Sequence, residues 1–248
     1  MSAAAAARTH LSGEPAVRVY EANWMQVEAY LERDDRVVLP VGSTEQHAYL
    51  SLGTDNILAE RIAVEAAEPL GVLVLPAMPF GVAPGFAAFP GTVSLRPETL
   101  VAVLTEALDT LYGQGFRGFL VLNGHGGNTG VAEPLDEWAR SREGARVRFH
   151  SWWDSPAVRA VAEGIHPEST HASWFENFPW TRLAGVELPT EEKPPVTDPE
   201  ALRELDPNAV KSVVGDGSYG GPYAVADEDA LRVWQAGVAE VRSLLETL

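Results

Sequence analysis

Residues 36–55 read RVVLPVGSTEQHAYLSLGTD, and the fold turns on how they are taken. The run at 36–41 is apolar, β-branched and bounded by turn residues, which describes a buried strand. Pro40, Gly42 and the small polar residues beyond them turn the chain. Asp55 then stands where the helical spacing of NILAERIAVEAAEP (56–69) begins, a position at which Asp caps helices. Strand, loop and amphipathic helix make one βα unit. The turn has no need of Glu45, His47 and Asp55 together, so a second demand acts on this loop.

The alternation continues on both sides. A helix is expected over WMQVEAYLERDD (24–35) and a strand over GVLVLP (71–76). SLRPETLVAVLTEALDTLYGQG (94–115) has Pro97 just inside its start and glycine at its end, the usual helix punctuation. Strand RGFLVLNG (117–124), helix GVAEPLDEWARSRE (130–143) and strand ARVRFHSWW (145–153) follow. Such alternation predicts an α/β domain with a mainly parallel sheet. It is expected to span 16–248 as a single unit, with 1–15 a loose alanine-rich tail. VELPTEEKPPVTDPEALRELDPNA (186–209) is proline-rich and acidic and is expected to be an exposed excursion. VVGDGSYGGPYAV (213–225) reads as a glycine-rich loop and 227–248 as a closing helix.

The formal charge of −17 opposes nucleic acid and anionic membrane as partners. With no cysteine in the chain, disulfides, thiolate nucleophiles and Cys-ligated zinc are excluded, and a cytoplasmic location is expected. No charged residue lies between Glu68 and Arg96, but Pro69, Pro76, Pro79, Pro84 and Pro90 divide that stretch too often for a spanning helix.

Ligands of open α/β sheets bind beyond the carboxyl ends of the strands. Two polar clusters fall there: the opening loop, and NGHGGN (123–128) after the strand GFLVL. Imidazoles and carboxylates without thiols suit Zn, Mn or Fe, and a shared aspartate could bridge two ions. A metal pair ~3.5–4 Å apart lowers the pKa of a bridging water and polarises a carbonyl. Each residue also has a plain explanation. Asp55 could be a cap, and the glycines of NGHGGN could serve a tight turn. A turn does not explain His125, and the loop lacks the lysine and spacing of a P-loop. THASWFENFPW (170–180) adds His171 and Glu176, with His171 open to an acid–base or a structural role. Trp152, Trp153, Trp174, Phe178 and Trp180 are core or pocket wall.

LPVGSTEQH, LGTD, FPGTVSL, NGHGGN and HASWFEN, in this order, resemble the creatininase (creatinine amidohydrolase) family over about residues 36–180. The resemblance implies a three-layer α/β/α fold with a mostly parallel central sheet. It also implies a homo-oligomer, commonly a hexamer, and a centre of two divalent ions, Zn first and Mn or Fe after it, hydrolysing C–N bonds of small amides. By matching position, Glu45 and His125 would hold one ion, His47 the other, and Asp55 both. His171 matches the family's acid–base histidine. A metal-bridging hydroxide would attack the carbonyl of a small, cyclic amide.

Three departures stand out. The family's glutamate two residues after the Asn-Gly-His histidine is Gly127 here, and Glu176 is the expected substitute, as ligand and in catalysis. HAYLSLGTD replaces HGPHLPLGTD, and HASWFENFPW replaces HAGExETS. Tyr49, Gly126, Gly127, Asn128, Trp153 and Trp174 are the expected substrate-pocket residues. A formamide or peptide C-terminal bond, a cyclic polyol-derived ketone, and a catalytically silent metal-binding oligomer are the alternatives.

Overall fold

The computed structural model describes residues 17–248, so the reading of 1–15 as a tail lies outside the described residues. Four strands form one parallel sheet in the order β2-β1-β3-β4. They are β1 (Arg36–Val41), β2 (Leu73–Val74), β3 (Gly118–Asn123) and β4 (Arg146–Ser151). β1 and β3 pair over six residues, from Arg36 with Gly118 to Val41 with Asn123. Both are buried along nearly their whole length, as the centre of a sheet covered on both sides must be.

Alternation along these strands builds two cores. Val38, Leu120 and Leu122 face α2 (Thr54–Ala67), α5 (Pro156–Glu163) and α7 (Asp227–Glu246), which contribute Leu58, Ile62, Val158 and Val233. Val37, Leu39, Val41, Phe119 and Val121 face α1 (Trp24–Leu31), α3 (Pro97–Gln114) and α4 (Ala132–Arg140), which contribute Tyr30, Leu104 and Leu135. The result is three layers, α/β/α. α3 begins on Pro97 and stops where Gly115 turns left-handed at φ 118°, the punctuation its sequence announces.

Three expectations change. The strand over GVLVLP keeps only Leu73–Val74 in register with β1, because Pro76 diverts the chain. Asp55 does not cap α2: Gly53 holds the cap position with no side-chain hydrogen bond, and Asp55 is buried inside the first turn. The proline-rich stretch is not a free excursion. Its 3-10 turn at Ala201–Glu204 and α6 (Pro207–Val214), capped by Asp206, lay Leu202, Val210 and Val214 against Phe86 and Phe89. These contacts roof one side of a cavity at the carboxyl edge of the sheet. Among the described residues, no helix is long and apolar enough to cross a membrane.

Candidate metal centre

Three segments meet above the carboxyl ends of β1 and β3. The loop leaving β1 carries Glu45 and His47 and ends on Asp55 in the first turn of α2. The loop leaving β3 carries His125. The irregular segment after α5 carries His171 and Glu176, the latter on a 3-10 turn whose start is capped by Ser173, which accepts from the Phe175 N–H. Among the described residues, Ala48 and Ala172, each directly after a centre histidine, are the non-glycine residues with left-handed φ, at 49° and 55°. That backbone costs an alanine of order 1–3 kcal/mol, and strain of this kind gathers at functional sites.

Asp55 sits at the middle. Its Oδ1 is 2.9 Å from His47 Nε2, and its Oδ2 is 3.1 Å from His125 Nδ1. Glu45 Oε1 lies 3.2 Å from His125 Nδ1 and 3.8 Å from His171 Nδ1. Glu176 Oε2 lies 3.7 Å from His47 Nε2 and accepts a 2.6 Å hydrogen bond from the Ala172 N–H. Glu45, His47 and Asp55 are each at most 1% exposed, a burial that needs a compensating cation.

The imidazoles are aimed by the main chain. His47 Nδ1 donates to the Glu45 carbonyl at 3.2 Å, and His125 Nε2 donates to the Val82 carbonyl at 3.0 Å. Each leaves its other nitrogen facing carboxylates, as metal-binding histidines do when a carbonyl fixes the far side of the ring. Close as imidazoles and carboxylates come, the buried Glu45 Oε1, His47 Nε2 and Asp55 Oδ2 make no aligned hydrogen bond among the described residues. Ligand atoms of Glu45, Asp55 and His125 lie within 4.8 Å of one another, as do those of His47, Asp55 and Glu176, so two sets share Asp55. Glu45, His47 and His171 form a third such set. An all-nitrogen and oxygen donor set of this kind fits Zn, Mn or Fe.

The same geometry sets the proton affinities. Burial opposes charge on His47, but Asp55 and Glu176 outweigh it and raise its pKa well above the usual value. His125 behaves likewise under Glu45 and Asp55. Burial pushes the Asp55 carboxyl up, yet His47 and His125 bring it well below the ordinary carboxylate range. Burial, followed by the charge of His47, lowers the pKa of His171. These protons occupy positions that a divalent ion would take.

Gly127 admits no side chain. A Cβ there would lie 2.0 Å from the Val82 carbonyl oxygen and 2.5 Å from His125 Nε2, the two atoms that fix the His125 ring. Across the centre, the Glu176 carboxylate comes within 3.7 Å of His47 Nε2.

A cavity of about 650 Å³ opens beside these residues. Of the expected pocket residues, Gly126, Gly127 and Trp153 line it. Tyr49, Asn128 and Trp174 do not. Tyr49 packs edge-on against Tyr223, and Trp174 is buried with its indole N–H donating to the Glu168 carbonyl at 2.7 Å. Asn128 is a brace: it donates to the Gly42 carbonyl and accepts from the Val82 N–H, tying the two loops together. The walls not anticipated are Phe86, Phe175, Tyr219 and Arg203. Phe175 carried a signal only as the neighbour of Trp174, and Arg203 as a base in an acidic run.

Comparisons with known proteins bear on the fold and the family. Creatinine amidohydrolase of Pseudomonas putida is 32% identical over 165 residues, covering 61% of this chain and 64% of that protein. The 3-dehydro-scyllo-inosose hydrolase of Thermotoga maritima is 33% identical over 161 residues, covering 60% of this chain and 52% of that protein. The chain thus spans less than two thirds of either relative. The crystal structure of creatinine amidohydrolase superposes with a TM-score of 0.79 at 24% identity, covering 94% of this chain and 97% of that one, which bears on the fold. Creatininase has been solved in forms that include Zn–Zn and Mn. The family model described as creatininase, creatinine amidohydrolase, matches residues 20–245, and the chain belongs to the creatininase family.

Proposed function

We propose that this protein is a dinuclear metal-dependent hydrolase of a small, cyclic amide. The observation that carries the reading is the pair of ligand sets joined at Asp55, with buried atoms left unpartnered and imidazoles aimed by main-chain carbonyls. Glu45, Asp55 and His125 would hold one ion, and His47, Asp55 and Glu176 the other, with Zn the first expectation. Such ions supply Lewis acidity and a water of lowered pKa. The protein's own part is to hold the carbonyl and manage protons. Water adds across the C–N bond, its hydroxyl going to carbon and a proton to the departing nitrogen. His171 borders the cavity and its lowered pKa keeps it neutral near pH 7, so it can hydrogen-bond the carbonyl or carry that proton.

The cavity suits a ring, with Phe86, Trp153, Phe175 and Tyr219 as flat walls. A second reading, a cyclic polyol-derived ketone, draws on the comparable identity to the inosose hydrolase. Against a catalytically silent binder stands Glu176, whose carboxylate lies 3.7 Å from His47 Nε2 and would complete the second ligand set. A homo-oligomer remains part of the proposal, to be checked by light scattering. The deciding experiment counts bound metal per chain after Zn or Mn reconstitution and offers lactams, formamides, short peptides and cyclic ketones. Two ions and turnover of a cyclic amide are expected. One ion or none, with no substrate turned over, rejects the enzyme.

A further inference from the structure

Beside the ligand sets stands a buried polar side chain that belongs to none of them. Gln46 lies between Glu45 and His47, is buried, and turns away from the carboxylates toward His171. Its Oε1 accepts from the Ala48 N–H at 3.1 Å, and its Nε2 donates to the Gly217 carbonyl at 3.0 Å. Reversing the amide would set oxygen against the Gly217 oxygen and N–H against the Ala48 N–H, so both ends fix its orientation. The glycine loop is shaped around it. Gly217 is at φ 109°, and a Cβ there would fall 1.7 Å from Gln46 Oε1.

One amide hydrogen therefore goes to Gly217, and the other points at His171 Nε2, 2.8 Å away. A proton on that ring nitrogen would face an N–H donor at this distance. The main-chain carbonyl of Gln46, at 3.1 Å from the same nitrogen, is the competing partner and is the more distant of the two. A neutral imidazole with a bare Nε2 carries its proton on Nδ1. His171 Nδ1 faces the centre 3.8 Å from Glu45 Oε1, too far for a hydrogen bond, which leaves its N–H free for a substrate oxygen. The ring itself is held in place, stacked on Phe86 at 4.7 Å with its main-chain carbonyl bound by the Tyr219 N–H.

We propose that Gln46 is a positioning residue that holds His171 in its Nδ1–H form, making His171 a hydrogen-bond donor toward the substrate carbonyl. The proposal rests on the metallohydrolase reading and sharpens it. An Nδ1 that bears hydrogen cannot ligate, so the third set of Glu45, His47 and His171 stays unused although its atoms are close enough. A neutral ring with a bare Nε2 is also poorly suited to giving up its single proton. The proton reaching the departing nitrogen then derives from the attacking water, and His171 contributes by stabilising charge on the carbonyl oxygen.

The test uses Zn-loaded protein labelled with 15N-histidine, the His171 signals being assigned by their loss in His171→Ala. The wild type is expected to show a protonated Nδ1 and a bare Nε2. In Gln46→Met the main-chain carbonyl alone faces Nε2, so the proton should move there and kcat should fall by about 100-fold, the usual loss of one oxyanion donor, with KM little changed. Added to His171→Ala, Gln46→Met should cost nothing further, a non-additivity that a purely structural role would not give. A bare Nδ1 in the wild type overturns the proposal without need of any variant, even should Gln46→Met not fold. Gln46→Met with the wild-type tautomer and turnover also overturns it, and leaves the hydrolase reading standing. A wild type that takes up no zinc overturns both.

Discussion

Asp55 and Asp206 each stand at the start of a helix after a turn, yet their side chains face opposite ways. Asp206 is exposed and accepts from the N–H groups of Asn208 and Ala209, as a cap should. Asp55 is buried, caps nothing, and faces two imidazoles within 3.1 Å. Position in the chain does not separate them. What separates them is what the rest of the fold brings up to the carboxylate: water at Asp206, and the tips of two strands at Asp55. The same local residue closes a helix in the roof and joins a centre in the frame.

The largest break in that comparison is at Asp55. Asp55→Ala should leave the helicity of α2 nearly intact by circular dichroism, because no cap is lost. It should abolish binding of both ions and turnover, read by metal analysis and the substrate panel. Retention of one ion at full affinity would show that the two ligand sets do not meet at this residue.

Next comes Glu176. Glu176→Ala should remove one ion of the two and keep the other, held by Glu45, Asp55 and His125. Adding Gly127→Glu should not restore it, although the glutamate would stand where the resemblance expects one. Its Cβ would strike the Val82 carbonyl and His125 Nε2, and His125 would be lost as a ligand. Metal-to-protein ratios for the single and double variants check this, and recovery of two ions in the double variant refutes the steric account.

A smaller effect separates the centre from the roof through pH. In metal-free protein, burial disfavours charge on His47 and His125, but the carboxylates win and both bind protons more tightly folded than unfolded. Their stabilisation is whole below the unfolded imidazole pKa of about 6.5 and is lost as pH rises through the raised folded values. Asp55 and Glu176 are shifted down, so they are ionised in both states throughout that window. His171 and His150 are shifted down too, and their contribution changes below it. Tm of the metal-free protein should therefore fall as pH is raised from 6.5. Excess zinc should reverse the slope, since an ion replaces the protons. Scanning calorimetry at several pH values, with and without zinc, reads both slopes.

The frame was legible because its signals are local. β1, β3 and α3 carry apolar runs, period and punctuation within their own residues, and the resemblance sits on the loops they position. The roof was not, because its signals are relational. Asp206 and Pro207 announce a helix, but an eight-residue helix in an acidic, proline-rich run declares its apolar face only once Phe86 and Phe89 receive it. Trp174 and Phe175 are sequence neighbours on one 3-10 turn; the first enters the core and the second the cavity, a choice made by the surrounding packing. Tyr49 and Asn128 stand beside site residues in sequence, yet side chains adjacent in a loop diverge: Asn128 braces two loops and Tyr49 packs on Tyr223.

The smallest effect probes Asp206 itself. Asp206→Ala removes two accepted hydrogen bonds at the start of α6, costing about 1 kcal/mol. The loss stays local, since α6 packs on Phe86 and Phe89 and not on either main core. Global Tm should hardly move. Phe86 also stacks on His171, so loosening α6 loosens the wall of the cavity and not its ligands. KM should rise about fivefold, the equivalent of that free energy, while kcat and the metal count hold. A fall in kcat at constant KM would place α6 in the chemistry, and the contrast between a roof that binds and a frame that reacts would have to be redrawn.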